Sequence, residues 1–324
     1  MLGVVQIFAG IALFLYGISM LSAGIEKLAG DQIQKWLERV TNNRLKSAAF
    51  GAIATALMQS SSLLMVTMIG LINANLMTVA QAIGVMLGQE IGTTLTAQIV
   101  SVNIGNFRMI LVILGLVFLE FFSNRDWKKY GEIFMGLGII FIGMNYMSNS
   151  LEALITISWV EEFLMLLGEK SWLGILAGTV LTALTQSSSA VTSLVVAMGI
   201  SEVITLKGAI GVILGANIGT CFTGLIASLR LSRTARQASI AQIIINITGV
   251  LLFIPFITPF TKLIQGSSQS LAREIANAHS VFNVIVSVIL YPFVDQIAIL
   301  SKKFVPLDPE KEKKRATVFI DEKQ

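Results

Sequence analysis

The chain has 324 residues, of which 54% are hydrophobic and 13% are charged, and its mean hydropathy is +0.78. Soluble domains carry about 25% charged residues, so this composition excludes an ordinary soluble domain and indicates an integral membrane protein. The single cysteine excludes an intramolecular disulfide, the single histidine argues against a histidine-based metal site, and the net charge of +4 requires no nucleic-acid partner.

Apolar runs longer than a signal-peptide core follow one another along the chain, which predicts an all-α polytopic membrane protein. The predicted elements, in chain order, are a span at 2–22, an amphipathic interfacial helix at 26–40, a re-entrant hairpin at 47–72, spans at 76–101, 107–122 and 131–150, a second re-entrant hairpin at 172–199, and spans at 203–228, 238–261 and 275–300.

The sequence contains an internal repeat. Shifted by 127 residues, positions 51–101 match 178–228 without a gap, and 21 of these 51 positions are identical. Two halves of this kind in a membrane chain are typical of transporters whose site lies between the repeats. We therefore divide the chain into a first repeat at 1–125, a second repeat with a final helix at 126–300, and a charged tail at 301–324.

Charge predicts that the two repeats have opposite orientations. The loop at 24–46 carries five basic residues, whereas its counterpart at 157–171 carries three acids and one lysine. Basic loops stay in the cytoplasm, so homologous loops lie on opposite sides of the membrane. The expected fold has two inverted-topology repeats, each with a re-entrant helical hairpin and a broken transmembrane helix. The C-terminus is expected to be cytoplasmic and the protein to lie in the cell membrane.

The motif QSSS occurs at the tip of each predicted hairpin. A tip at membrane depth requires a protein or water-filled surrounding, and the helix that starts there offers free N–H groups and the positive end of its dipole. Two facing tips form an anion site without lysine or arginine. The candidate anion ligands are Gln59, Ser60, Ser61, Ser62, Gln186, Ser187, Ser188 and Ser189. Cations should accompany the anion, and the amide and hydroxyl oxygens suit Na⁺.

A second motif pair, GQEIGTTLT at 88–96 and GANIGTCFT at 215–223, is expected to break the helix after each hairpin. The alternative is close helix packing through small residues. Glu90 occupies the position of Asn217, and an acid within a span is a functional candidate that binds Na⁺ or carries a proton, or else a hydrogen-bonded structural acid. For His279 and Asn283, echoed by Gln242 and Asn246, we favour a hydrogen bond between helices over a ligand role.

These paired motifs and the segment AHSVFN at 278–283 resemble the type II sodium-dependent phosphate cotransporter family in its compact bacterial form, over about residues 5–300. The resemblance implies a carrier that moves inorganic phosphate inward on the Na⁺ gradient by alternating access, without an organic cofactor. Both QSSS tips would contact phosphate. Some bacterial relatives end in a regulatory PhoU-like domain, whereas only the charged tail is expected here.

The resemblance also implies a sodium site in the second half, with counterparts in the first half. The sequence departs from the family pattern at Glu90, where asparagine is usual. The candidate sodium ligands are Gln186, Ser187, Thr220, Thr223, Asn217, Glu90, Thr93 and Thr96.

Other functions are compatible with parts of this pattern. A Na⁺- or H⁺-coupled carrier of another oxyanion or a small carboxylate stays open, as does a passive channel. An intramembrane serine hydrolase is disfavoured because the serines come twice while the only histidine has no repeat partner, and no G-x-S-x-G motif is present, so no enzyme is expected. The expected partners are phosphate, sodium ions and membrane lipids, with a homodimer left open and no nucleic acid.

Overall fold

The structure is a computed structural model that describes residues 2–40, 43–102, 104–122, 125–154 and 157–306. These residues form α-helices joined by short turns. The helices are α1 Leu2–Val40, α2 Arg44–Met58, α3 Ser61–Asn73, α4 Val79–Val100, α5 Phe107–Glu120, α6 Arg125–Leu154, α7 Ser158–Glu169, α8 Ser171–Thr185, α9 Ser188–Ile200, α10 Leu206–Ser228, α11 Arg233–Phe253, α12 Ile257–Ile264, α13 Leu271–Leu290 and α14 Val294–Phe304.

Several helices are long and apolar enough to cross a membrane. Among the described residues there are five such spans, or six if the bent pair α7–α8 is taken as one span. The chain is therefore a multi-pass all-α membrane protein, as predicted. The five spans are Val5–Leu28, Trp127–Leu151, Leu206–Ser228, Arg233–Ile264 and Leu271–Phe304.

Two predicted spans are not among these five. The helix predicted at 76–101 is present as α4, but Gln81, Gln89 and Glu90 lower its hydropathy. The span predicted at 107–122 is the 14-residue helix α5. At 1.5 Å per residue α5 is about 21 Å long, which is shorter than the roughly 30 Å hydrocarbon layer.

The first helix is longer than predicted. α1 runs without a break from Leu2 to Val40, so the separate interfacial helix expected at 26–40 was wrong. No proline interrupts this stretch, and Gly24 serves packing rather than a turn, because a methyl group there would lie 2.9 Å from the Lys129 carbonyl oxygen of α6. The second half does divide this region, since α6 ends at Leu154 and α7 is a separate helix bent by 114° from α8.

Both predicted hairpins are present as pairs of helices. α2 and α3 meet at Gln59 and Ser60, and α8 and α9 meet at Gln186 and Ser187. The arms have 15 and 13 residues in each hairpin, close to the lengths expected from the sequence. The QSSS motif therefore marks the turn between two half-length helices in both halves.

The helix breaks expected in the second motif pair are absent, because α4 and α10 run unbroken through residues 88–96 and 215–223. Their glycines instead allow neighbouring backbones to touch. A methyl group on Gly88 would lie 1.7 Å from the Ala48 carbonyl oxygen, and one on Gly215 would lie 2.0 Å from the Ile175 carbonyl oxygen. The structure therefore agrees with the alternative of close helix packing through small residues. These glycine contacts join α2 to α4 and α8 to α10.

A further glycine contact joins the two halves. α1 and α6 pack antiparallel, with Gly10 against Gly143 and Gly17 against Gly136. Positions 10 and 17 align with 136 and 143 in the repeat, so exchanging the two halves maps one contact onto the other. The centre of the protein consists of α4 and α10, whose residues are mostly buried, and α11 and α13 each contact both of them.

Replacing Gly88 with alanine should destabilise the protein, because the methyl group would overlap a backbone oxygen that cannot rotate away. We expect a loss of about 1–3 kcal/mol, typical of overpacking. Thermal unfolding of detergent-purified protein measures it. The matched control is Gly70→Ala, where the methyl group meets nothing within 4 Å and alanine gains helix propensity. Equal losses for the two variants would contradict the packing role of Gly88.

Candidate functional site

The two hairpin tips have the same backbone conformation. Gln59 has φ 52° and ψ 21°, and Gln186 has φ 52° and ψ 26°, so both lie in the left-handed region, where a side chain costs about 1–3 kcal/mol. The hydroxyl of Ser60 accepts a hydrogen bond from the Leu63 N–H at 3.2 Å, which caps α3. Ser187 caps α9 in the same way. The repeated motif therefore produces one strained, capped turn twice.

Both tips face one cavity of about 390 Å³. This volume corresponds to roughly a dozen water molecules, which is ample for a small hydrated anion. All eight QSSS residues predicted as anion ligands line it, so the structure brings together the set that the sequence placed 127 residues apart. The remaining lining residues are Leu63 and, from α1, Leu15, Ile18, Ser19, Ser22, Ala23 and Glu26.

The electrostatics of this cavity favour an anion at the tips. α3 begins at Ser61 and α9 begins at Ser188, so two helix N-termini, each with a partial positive charge, lie at the cavity wall. Among the described residues that line the cavity there is no lysine or arginine, and Glu26 is the single charged group. The cavity therefore combines hydroxyl and N–H donors with one carboxylate.

The α1 wall was missed by the sequence analysis. Ser19, Ser22 and Glu26 are spaced by three and four residues, which places them on one helix face. The Ser22 hydroxyl is buried and has no hydrogen-bond partner in the part of the chain that the structure describes. The spacing of polar residues within an apolar span was the available signal.

The two tips differ in their side-chain partners. Gln59 is 7% exposed, and its Oε1 accepts a 2.8 Å hydrogen bond from the Thr96 hydroxyl. Gln186 is exposed, and in the described part of the chain no such bond joins it to Thr223. In the first half the glutamine and the threonine are hydrogen-bonded to each other, whereas in the second half the equivalent glutamine and threonine are not.

Most predicted sodium ligands lie outside the cavity. The hydroxyl of Thr93 donates to the Glu90 carbonyl oxygen at 2.7 Å, and that of Thr220 donates to the Ala216 carbonyl oxygen at 3.0 Å. Glu90, Asn217 and the four predicted threonines do not line it. Only Thr96 is linked to a lining residue, through Gln59.

Glu90 and Asn217 belong instead to a buried polar network. The Gln242 Nε2 atom donates to Glu90 Oε1. The Asn217 Nδ2 atom donates to Asn283 Oδ1 at 2.9 Å, and the Asn246 Nδ2 atom donates to the Asn217 carbonyl oxygen at 2.8 Å. Asn283 thus makes the predicted bond between helices. Gln242 and Asn246, four residues apart on the buried face of α11, are the partners that the sequence analysis had not linked to Glu90.

Comparison with known proteins identifies similar chains. The family model described as Na⁺/Pi-cotransporter matches residues 13–149 and again 143–263. No solved structure matches the chain significantly. The protein is 31% identical over 307 residues to "Uncharacterized protein YqeW" of Bacillus subtilis strain 168, covering 94% of this chain and 99% of that protein.

Two named relatives are more distant. YjbB of Escherichia coli strain K12, whose name describes it provisionally as an inorganic phosphate export protein, is 22% identical over 310 residues. That match covers 96% of this chain and 57% of YjbB. "Sodium-dependent phosphate transport protein 2B" of Homo sapiens is 32% identical over 163 residues, covering 46% of this chain and 23% of that protein.

Replacing Thr96 with valine should destabilise the protein because it leaves the buried Gln59 oxygen without a donor. We expect a loss of about 1–3 kcal/mol, measured by thermal unfolding in sodium-free buffer. The matched control is Thr223→Val in the second half, which breaks no bond to Gln186 and should change stability by less than about 0.5 kcal/mol. If the two variants unfold alike, the asymmetry between the tips has no energetic consequence.

Proposed function

Because this chain belongs to the Na⁺/Pi-cotransporter family, we propose that it carries inorganic phosphate across the cell membrane, coupled to Na⁺. The family is one of transporters, and the chain is accordingly a transporter rather than an enzyme. The observation that carries the proposal is the meeting of both QSSS tips at one cavity.

Phosphate binds between the tips in this proposal. The hydroxyls of Ser61, Ser62, Ser188 and Ser189 and the N–H groups at the starts of α3 and α9 donate to its oxygens. Such bonds to a charged acceptor contribute about 1.5–3 kcal/mol each. Helix N-termini bind anions without a full positive charge, so phosphate is held but can also leave.

Sodium compensates the negative charge in the cavity. Phosphate near the Glu26 carboxylate is repelled unless a cation accompanies it. The second-half set Gln186, Ser187, Thr220 and Thr223 is the proposed sodium site. Its support is the absence of a Gln186–Thr223 bond in the described residues, which leaves the amide oxygen available.

The first-half counterpart consists of Gln59, Thr93 and Thr96. There the Thr96 hydroxyl already occupies the Gln59 oxygen. A sodium ion at this position has to displace that hydrogen bond. We therefore propose that sodium binds first in the second half.

Transport proceeds by alternating access of two inverted repeats, at 1–125 and 126–300. The antiparallel α1–α6 contact supports a two-fold relation, because equivalent glycines exchange places across it. Positive φ recurs at equivalent positions as well, at Gln59 and Gln186 and at Asn75 and Glu202. A cytoplasmic C-terminus is part of this proposal, and its support is the distribution of basic residues among the loops.

The direction of transport is inward in this proposal, driven by the inward Na⁺ gradient. The opposite direction is the second candidate, since the relative YjbB has a name that describes export. The decisive experiment is radiolabelled phosphate flux in proteoliposomes with a Na⁺ gradient imposed in either direction and with K⁺ in its place. Accumulation that follows the Na⁺ gradient supports symport. Flux unaffected by Na⁺, or inhibited equally by sulfate and small carboxylates, counts against phosphate–sodium symport.

Replacing Gln186 or Ser188 with alanine should weaken phosphate uptake, because each change removes a group from the proposed site. The loss of one bond to a charged ligand predicts roughly a 10- to 100-fold lower apparent affinity. The Gln→Ala change at the exposed loop residue Gln269 is the control and should leave uptake intact. Uptake with wild-type affinity in both tip variants, in protein recovered from the membrane at normal levels, refutes the site.

A further inference from the structure

The carboxylate of Glu90 is buried without a cationic partner. The residue is 6% exposed and lies in the middle of α4. Its side-chain contacts are the amides of Gln242 and Asn246, and no ion pair in the described part of the chain includes it. A lone buried carboxylate costs several kcal/mol, so a group of this kind either takes up a proton or is compensated by a cation.

The same place contains an unused acceptor. Gln242 is 2% exposed, and its Nε2 atom donates to Glu90. Its Oε1 atom is buried and has no hydrogen-bond partner among the described residues. Rotating this amide by 180° turns the orphaned oxygen toward the carboxylate. Two oxygen atoms then face one another, and this arrangement is stable only with a proton on the carboxyl or a metal cation between them.

We propose that Glu90, Gln242 and Asn246 form a buried Na⁺ site that is separate from the QSSS cavity. Carboxylate and amide oxygens are hard ligands that suit Na⁺. One carboxylate among neutral amides balances a single positive charge, which favours a monovalent over a divalent cation. Without the ion, the Gln242 N–H group takes its place against the carboxylate.

Within the described residues, the second half has no equivalent of this site. At the equivalent position the second half has Asn217, whose amide already pairs with Asn283 at 2.9 Å. The pair is neutral and both residues are buried, so no cation is required there. This inference rests on the proposed function, because it adds one Na⁺ ion to the sodium that is carried with phosphate. The added ion lies at neither hairpin tip.

The test is equilibrium binding of ²²Na⁺ to the detergent-purified full chain, with phosphate binding measured on the same samples. Glu90→Gln keeps the shape of the side chain and removes its charge, and it should bind one fewer Na⁺ per chain. Phosphate should still bind at the tips. Glu90→Asn, which introduces the residue of the second half, should behave in the same way.

A second pair of variants covers the case in which the Glu90 variants do not fold. Gln242→Leu retains the acid, removes the amide oxygen, and should weaken this Na⁺ by tenfold or more. Gln186→Ala alters an exposed tip residue away from α11, so Na⁺ that remains bound to it and is lost when Glu90→Gln is added reports the buried site. We expect one Na⁺ per chain to remain in this variant.

Stability gives an independent readout. In sodium-free choline buffer, Glu90→Gln should melt at a higher temperature than the wild type, because it removes an uncompensated buried charge. A purely structural hydrogen bond of Glu90 predicts the opposite sign.

Unchanged Na⁺ stoichiometry in the Glu90 variants, or no Na⁺ left in Gln186→Ala, overturns the inference and leaves phosphate transport at the tips intact. Conversely, Glu90-dependent ²²Na⁺ binding in a protein that moves no phosphate sinks the proposed function while the buried site stands.

Discussion

Two helices end and two begin inside an apolar protein, and the backbone groups freed there must all find partners. The rest of the structure depends on how the tips meet this constraint. A glutamine in the left-handed conformation ends α2 and α8, and the neighbouring serine caps α3 and α9. These groups satisfy the turn itself, so the following serines and the helix N-termini are left for a ligand. The binding groups of the cavity thus depend on the backbone conformation of the turn as well as on the side chains that line it.

The two halves share their backbone geometry and differ in their polar partners. Ser148 contacts Ser201 at 2.7 Å, hydroxyl to hydroxyl, whereas the positions equivalent to these two in the first repeat are Ser22 and Ala74, and alanine has no hydroxyl to offer. Among the described residues the Ser22 hydroxyl has no hydrogen-bond partner, and it lies at the cavity wall. Glu90 and Asn217 show the same divergence in the buried network. The internal repeat explains why the two halves share their backbone geometry. Single differences between equivalent positions explain why the halves can have different chemical roles.

Local periodicity and the internal repeat were enough to predict the helical class, both hairpins and the turns at QSSS. It failed where one residue type has two roles. Glycine in the GQEIG motif is compatible with a helix break or with a close contact, and only the position of Ala48 on a neighbouring helix decides between them. The partner of Glu90 was also out of reach, because Gln242 is 152 residues away and no local pattern joins them. Helix continuity in α1 depends similarly on packing against α6.

The glycine contacts also determine which parts can move. α2 touches α4 at Gly51, Gly88 and Gly92, where added methyl groups would lie 2.1, 1.7 and 2.4 Å from backbone oxygens of the other helix. Close-packed backbones of this kind cannot slide past one another without overlap. α2 and α4 therefore have to move together as one rigid unit, and so do α8 and α10. Any movement that opens the cavity therefore has to tilt whole helix pairs, because sliding within a pair would make backbone atoms overlap.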